Sequence, residues 1–174
     1  MLTVDSFFIG ITLPPTLAQD IEAWRRRFRA PRTAPHITLI PPFEWSHGFD
    51  KLAALVQSVT AHRQPFLIRG EGIGSFGRAV LFVNVEPSSE LAVYQSELAQ
   101  TLAEFGVPPE SRPYHPHITL ATRLTPAVFH QYRTELAGYN PRYEFPFPGA
   151  SIFQLMPEGQ GKRWQIVHQV SSMK

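Results

Sequence analysis

The pentapeptide Pro-His-Ile-Thr-Leu stands twice in this 174-residue chain, at Pro35–Leu39 and at Pro116–Leu120. An identical string repeated in so short a chain marks an internal repeat of one structural unit. Within each copy polar and aliphatic residues alternate, which is the period of a β-strand. His36 and Thr38 therefore share one face, and Ile37 and Leu39 share the other. His117, Thr119, Ile118 and Leu120 repeat the arrangement. The aliphatic faces call for a core, which leaves the polar faces to meet across a groove. Two imidazoles and two hydroxyls placed in this way suit acid–base chemistry on a phosphate.

The rest of the chain reads as strands and helices around these two units. Residues 3–12 form a buried strand, and Pro14 and Pro15 open a helix to about Arg29 with Leu17, Ile21, Trp24 and Phe28 at helical spacing. The first motif strand, about 36–40, is expected to stop at Pro41-Pro42. A second helix covers Asp50–His62, and strands follow at Phe66–Arg69 and Val80–Val85. Ser88 or Ser89 caps a third helix that runs to Phe105, with Leu91, Tyr94, Leu98, Leu102 and Phe105 on its apolar side. The second motif strand spans 117–121, and a helix from Pro126 to Leu136 follows. Strands near Arg142–Phe147, Ser151–Leu155 and Trp164–Val170 close the chain. Each motif strand is preceded by a strand and a helix and followed by a helix. This predicts two similar α+β lobes, joined near Gly70–Arg78, within one domain over 1–174.

Several chemistries are disfavoured. There is no cysteine, hence no disulfide, thiolate metal site or thiol nucleophile. No G-x-S-x-G elbow is present for a serine nucleophile. Gly72–Gly77 fits G-x-G-x-x-G, but a strand pattern rather than a helix follows, so these glycines read as a turn or bulge. No stretch reaches transmembrane length, and the N-terminus lacks the features of a signal peptide, so a cytoplasmic protein is expected. Three of the 16 basic residues are Lys, leaving 13 Arg. Arg25, Arg26, Arg27, Arg29 and Arg32 cluster; they read either as a solvated helix face or as an RNA contact. His115 and His117 share a strand face and could hold a metal, although the pattern lacks the helical His pair and intervening acid of a zinc helix. The alternative reading puts His115 at the rim of the second motif.

The duplicated His-x-Thr motifs resemble the 2H phosphoesterase superfamily. The branch they look most like is that of the 2′-5′ RNA ligase-like cyclic phosphodiesterases. The likeness extends to Phe7-Phe-Ile-Gly-Ile-Thr-Leu-Pro-Pro, Pro35–Phe43, Leu81-Phe-Val-Asn-Val and Tyr114–Leu120. It implies a bilobal α+β fold with pseudo-twofold symmetry: two lobes of antiparallel sheet, outer helices and a central groove carrying both motif strands. It also implies hydrolysis of 2′,3′-cyclic phosphates, on RNA ends or nucleotides, to 2′-phosphates without metal or other cofactor. Some relatives join or cleave 2′-5′ linkages. By resemblance His117 is the base and His36 the acid, with Thr38 and Thr119 holding phosphate oxygens. Phe43 and Tyr114 either stack on a base or pack in the core, and His115 joins them as a substrate-binding residue. Many relatives carry Arg two residues after the second Thr-Leu pair; here Thr122 holds that place, and Arg123, one residue on, is the substrate-binding candidate. A monomer is expected, with no membrane partner. A non-catalytic RNA-end module and a metal-dependent phosphodiesterase using His115 and His117 remain as alternatives.

Overall fold

The computed structural model describes residues 4–30 and 33–173. Its elements are β1 (Asp5–Thr12), α1 (Pro15–Arg27), β2 (His36–Trp45), α2 (Phe49–Thr60), β3 (Leu67–Glu71), β4 (Ile73–Phe76), β5 (Val80–Asn84), α3 (Ser89–Ala103), β6 (His117–Ala121), α4 (Pro126–Glu135), β7 (Arg142–Pro146), β8 (Gly149–Glu158) and β9 (Gly161–Ser171). The class is α+β. A seven-stranded sheet runs β4-β5-β6-β2-β1-β8-β9, and β3 and β7 form a two-stranded sheet. Every strand pair is antiparallel.

The repeat in the sequence is a repeat in topology. β1-α1-β2-α2 is followed, after β3 and β4, by β5-α3-β6-α4 and then β7 and β8. Each half lends a strand to the other: β4 pairs with β5, and β8 pairs with β1. The two halves meet where β2 pairs with β6, at Ile37 opposite Ile118, the central residues of the two pentapeptides. An antiparallel pair that joins equivalent residues has a local twofold axis at that pair. The crossed packing follows the same symmetry, with α1 against β6 and α3 against β2.

Alternation along the motif strands is kept. Ile37, Leu39, Ile118 and Leu120 are buried in the core with Ile9, Ile11, Leu81 and Val83. His36, Thr38, His117 and Thr119 stay half-exposed. Ile21 and Phe28 of the first helical segment, Leu52 and Val56 of α2, and Leu91, Tyr94, Leu98 and Leu102 of α3 complete the core. Local chemistry starts two of the helices. The Ser88 hydroxyl accepts from the Leu91 N–H ahead of α3, and the Thr125 hydroxyl accepts from the Val128 N–H ahead of α4.

Three expectations need correction. β2 does not stop at Pro41-Pro42 but runs to Trp45. Phe7 faces Phe43 and Ile9 faces Ile40, so Phe8 alone spans the interval that Pro41 and Pro42 fill. A bulge of this kind accommodates residues that have no N–H to give the ladder. Gly72–Gly77 is not merely a turn: Ile73–Phe76 is an edge strand on β5, and the positive φ values fall on the glycines at its two ends, Gly72 (80°) and Gly77 (54°). The two final strands are longer than their patterns suggest and form a hairpin closed between Glu158 and Gly161. Thr3, where the first predicted strand begins, lies outside the described residues.

Candidate active site

Each motif histidine is the first residue of its strand and is held in the same way. The His36 Nδ1–H donates to the Ala34 carbonyl at 2.7 Å, and the His117 Nδ1–H donates to the His115 carbonyl at 2.8 Å. A carbonyl can only accept, so these bonds put the proton of each neutral ring on Nδ1. Nε2 is then free in both rings to take a proton from a ligand. The register pairs Ile37 with Ile118, so that His36 and Thr38 flank one partner of the pair and His117 and Thr119 the other. Neither threonine hydroxyl is engaged by another described residue.

The surroundings hold both rings neutral. Burial is the largest cause at His36 and pushes its pKa down to about 4; Arg25 and His117 add to the depression, and the Ala34 hydrogen bond opposes it. At His117 burial again leads in lowering the pKa, His115 contributes in the same direction, and the bond to the His115 carbonyl opposes. A proton on one ring therefore disfavours a proton on the other. Aromatic rings provide the burial. Phe8 and Phe153 lie 4.8 and 5.2 Å from the His36 ring, and Phe76 and Phe82 lie 4.9 and 5.1 Å from the His117 ring. Gly10 makes room on the His36 side. A Cβ there would stand 2.9 Å from the Ile37 carbonyl oxygen and 3.3 Å from His36 Cδ2.

Past the Ile37–Ile118 pair the strands part. Tyr114 enters the gap, and its hydroxyl donates to the Thr38 carbonyl at 2.8 Å. Burial raises the Tyr114 pKa, which keeps that donor protonated. A cleft of about 690 Å³ opens here, with Thr38, His117, Tyr114, His115 and Phe76 among its lining and the outer side of α3 as one wall.

The remaining sequence candidates divide. His115 lines the cleft and is exposed. Tyr114 lines it too, but it is tied to the backbone of the first motif. Phe43 is not a cleft residue. It is 7% exposed and packs on Phe7 and Trp45, so its ring is committed to the core. Arg123 sits at φ 55° in the turn after β6, exposed and outside the cleft lining. No group of three or more His, Asp or Glu side chains that could hold a metal forms among the described residues.

The arginine cluster divides: Arg25 and Arg27 are engaged, whereas Arg26 and Arg29 are exposed, Arg26 with its Nε 3.9 Å from Glu22. Arg25 is buried and donates to Glu22 and to the Thr33 carbonyl. Arg27 pairs with Glu135 and lies over the Trp24 ring. Arg32 lies outside the described residues. Sequence reasoning missed Phe8, Phe76, Phe82 and Phe153. They look like ordinary core residues until the pairing of strands places them beside a histidine.

The family model for the 2′-5′ RNA ligase superfamily matches residues 13–154, which include both motifs. The chain belongs to this superfamily. As a member of the 2′-5′ RNA ligase superfamily, it is 26% identical over 140 residues to an RNA 2′,3′-cyclic phosphodiesterase of Bacillus subtilis, covering 68% of this chain and 72% of that protein. Its fold matches E. coli LigT complexed with 3′-AMP, with a TM-score of 0.75 at 21% identity over 98% of this chain and 99% of LigT. A Thermus thermophilus protein matches with a TM-score of 0.73 at 20% identity, over 95% of this chain and 97% of that one. The large antiparallel sheet with paired motif strands at its centre, together with the four α-helices of the described residues, thus matches the LigT fold, with the two expected lobes joined in one continuous sheet. No helix among the described residues is long and apolar enough to cross a membrane.

Proposed function

We propose that this member of the superfamily is a metal-independent phosphodiesterase that opens 2′,3′-cyclic phosphates, at RNA ends or on nucleotides, to 2′-phosphates. The observation that carries the reading is the matched pair of imidazoles beside a local twofold axis, each anchored through Nδ1 and each with a free Nε2. The relationship to the Bacillus subtilis RNA 2′,3′-cyclic phosphodiesterase supports the substrate class.

Water attacks phosphorus in line with the 3′ oxygen. One neutral imidazole takes the water proton as the new P–O bond forms. The other, protonated, donates to the 3′ oxygen as the P–O3′ bond breaks. The product is a 2′-phosphomonoester with a free 3′-hydroxyl. His117 as base and His36 as acid is the assignment taken from the family resemblance. Because both rings are neutral in the empty groove, the acid gains its proton as the phosphate anion binds, since a nearby negative charge favours imidazolium. The Thr38 and Thr119 hydroxyls donate to the non-bridging oxygens, whose charge grows in the transition state. A 5′-hydroxyl in place of water would give a 2′-5′ linkage by the same bond changes. Phosphorus NMR of the product from adenosine 2′,3′-cyclic phosphate tests the reading. A 2′-monophosphate is expected; a 3′-monophosphate, or unchanged substrate, contradicts it.

A further inference from the structure

The local twofold makes Phe76 and Phe153 equivalents, yet the fold treats them differently. Thr12 faces His36 and Asn84 faces His117, so β1 and β5 correspond, and Phe8 corresponds to Val80. Phe153 faces Phe8, and Phe76 faces Val80. Each of the two rings, carried on a strand lent by one half, packs beside the histidine of the other half. β8 is covered by β9, and Phe153 stacks on Phe8 at 4.2 Å and is 0% exposed. β4 is the opposite edge of the sheet among the described residues, and Phe76 is 39% exposed. On the His36 side the accessible aromatic surface is Trp164, half-buried against Phe8 at 5.0 Å in a separate cleft with Phe153 and Ala34, whereas on the His117 side it is Phe76 itself.

That surface belongs to the cleft of about 690 Å³ that also holds Thr38 and His117. Its size is within the range of small-molecule sites. The α3 side of the lining carries Gln95, Ser96 and Gln100; the Gln95 amide N–H donates to the Leu39 carbonyl and the Gln100 amide N–H to the Ser96 hydroxyl, which leaves both amide oxygens to accept from a ligand. An aromatic surface beside polar side chains fits a flat ring with hydrogen-bonding edges. We infer that Phe76 is the stacking platform for the nucleobase of the substrate's terminal nucleotide. The nucleoside then lies on the β4 and α3 side of the scissile phosphate, in the cleft that holds Thr38 and His117. The inference rests on the cyclic phosphodiesterase reading and extends it to substrate orientation. Stacking of this type tolerates any base, because every base has a π-face.

The test compares wild type, Phe76→Ala and Phe76→Tyr on two substrates: adenosine 2′,3′-cyclic phosphate and 1-O-methylribose 2′,3′-cyclic phosphate, which has no base. Removing a stacking ring should lower kcat/KM on the adenosine substrate by roughly 5- to 150-fold. Phe76→Ala also uncovers His117, so the base-free substrate should lose some activity, but several-fold less than the adenosine substrate, and Phe76→Tyr should restore the adenosine activity. Equal losses on both substrates would mean that Phe76 only positions His117, and no loss on either would leave it without a role; both results overturn the inference. If wild type turns over neither substrate, the phosphodiesterase reading fails. Equilibrium binding of adenosine 2′-phosphate and ribose 2′-phosphate then decides the stacking claim separately. A Phe76→Ala defect confined to the adenosine ligand upholds it, and equal or absent defects reject it.

Discussion

Ile37 and Ile118 face each other across the strand pair in which the two motifs meet, and each is flanked by the histidine and threonine of its own motif. This places His36 and His117 in equivalent settings and near enough that a charge on His117 lowers the pKa of His36. The two rings should therefore act as a unit. His36→Ala and His117→Ala are each expected to lower turnover by roughly 10²- to 10⁴-fold. The double variant should lose much less than the product of the two. Steady-state kinetics of the three variants check this, and near-full activity in either single variant removes that ring from the chemistry. With His36 as acid, His36→Ala should be spared on a 2′-phosphodiester with a nitrophenol leaving group, while His117→Ala should not. The reverse pattern exchanges the two roles.

The acidities predict pH behaviour. Burial lowers the pKa of both rings in the empty groove, with His36 at about 4. The profile of kcat/KM reports the free enzyme. Its maximum should lie below the ordinary histidine value of about 6.5, between the two apparent values of the pair. The kcat profile, which reports the complex, should peak at higher pH, because bound phosphate raises both rings. Coincident profiles centred above pH 7 contradict the burial argument.

The same shift sets a stability change. The folded state holds His36 neutral, whereas the unfolded chain protonates it below about pH 6.5. Stability is therefore fully present above that pH and is lost as pH falls toward 4. The loss from this ring is on the order of 3 kcal/mol at most. Urea unfolding across this range should show it, and His36→Phe should reduce the slope.

Thr38→Val and Thr119→Val keep the β-branched shape and remove a donor. Each should cost about 2–4 kcal/mol of transition-state stabilisation, read from kcat on a cyclic nucleotide. EDTA should leave the wild type unchanged. Activity abolished by EDTA and restored by zinc or manganese would shift the chemistry to a metal at His115 and His117.

Gly10 tests the packing behind the first motif. A methyl group there meets the Ile37 carbonyl at 2.9 Å and His36 Cδ2 at 3.3 Å. Gly10→Ala should cost about 1–3 kcal/mol of stability and lower kcat by displacing the ring. A thermal melt and one rate measurement are sufficient. Wild-type activity in this variant would show that His36 tolerates displacement.

The repeated pentapeptide carried the site because its alternation is local: the strand period alone separates His36 and Thr38 from Ile37 and Leu39. The helices were visible for the same reason, through apolar spacing and, at α3, the capping residue Ser88. What the sequence did not show depends on pairing between distant strands. Phe43 and Phe76 are both phenylalanines near strand ends, and only the sheet decides that the first is core and the second a surface beside His117. The run of β2 through Pro41 and Pro42 likewise depends on a bulge against β1.

The most direct test is to incubate the purified protein, in EDTA, with an oligoribonucleotide ending in a 2′,3′-cyclic phosphate. The account predicts conversion to a 2′-phosphate end by the wild type and none by the His36→Ala/His117→Ala double variant on the same timescale. Tight binding of the oligonucleotide with no product from the wild type would make the groove a binding site and contradict the account.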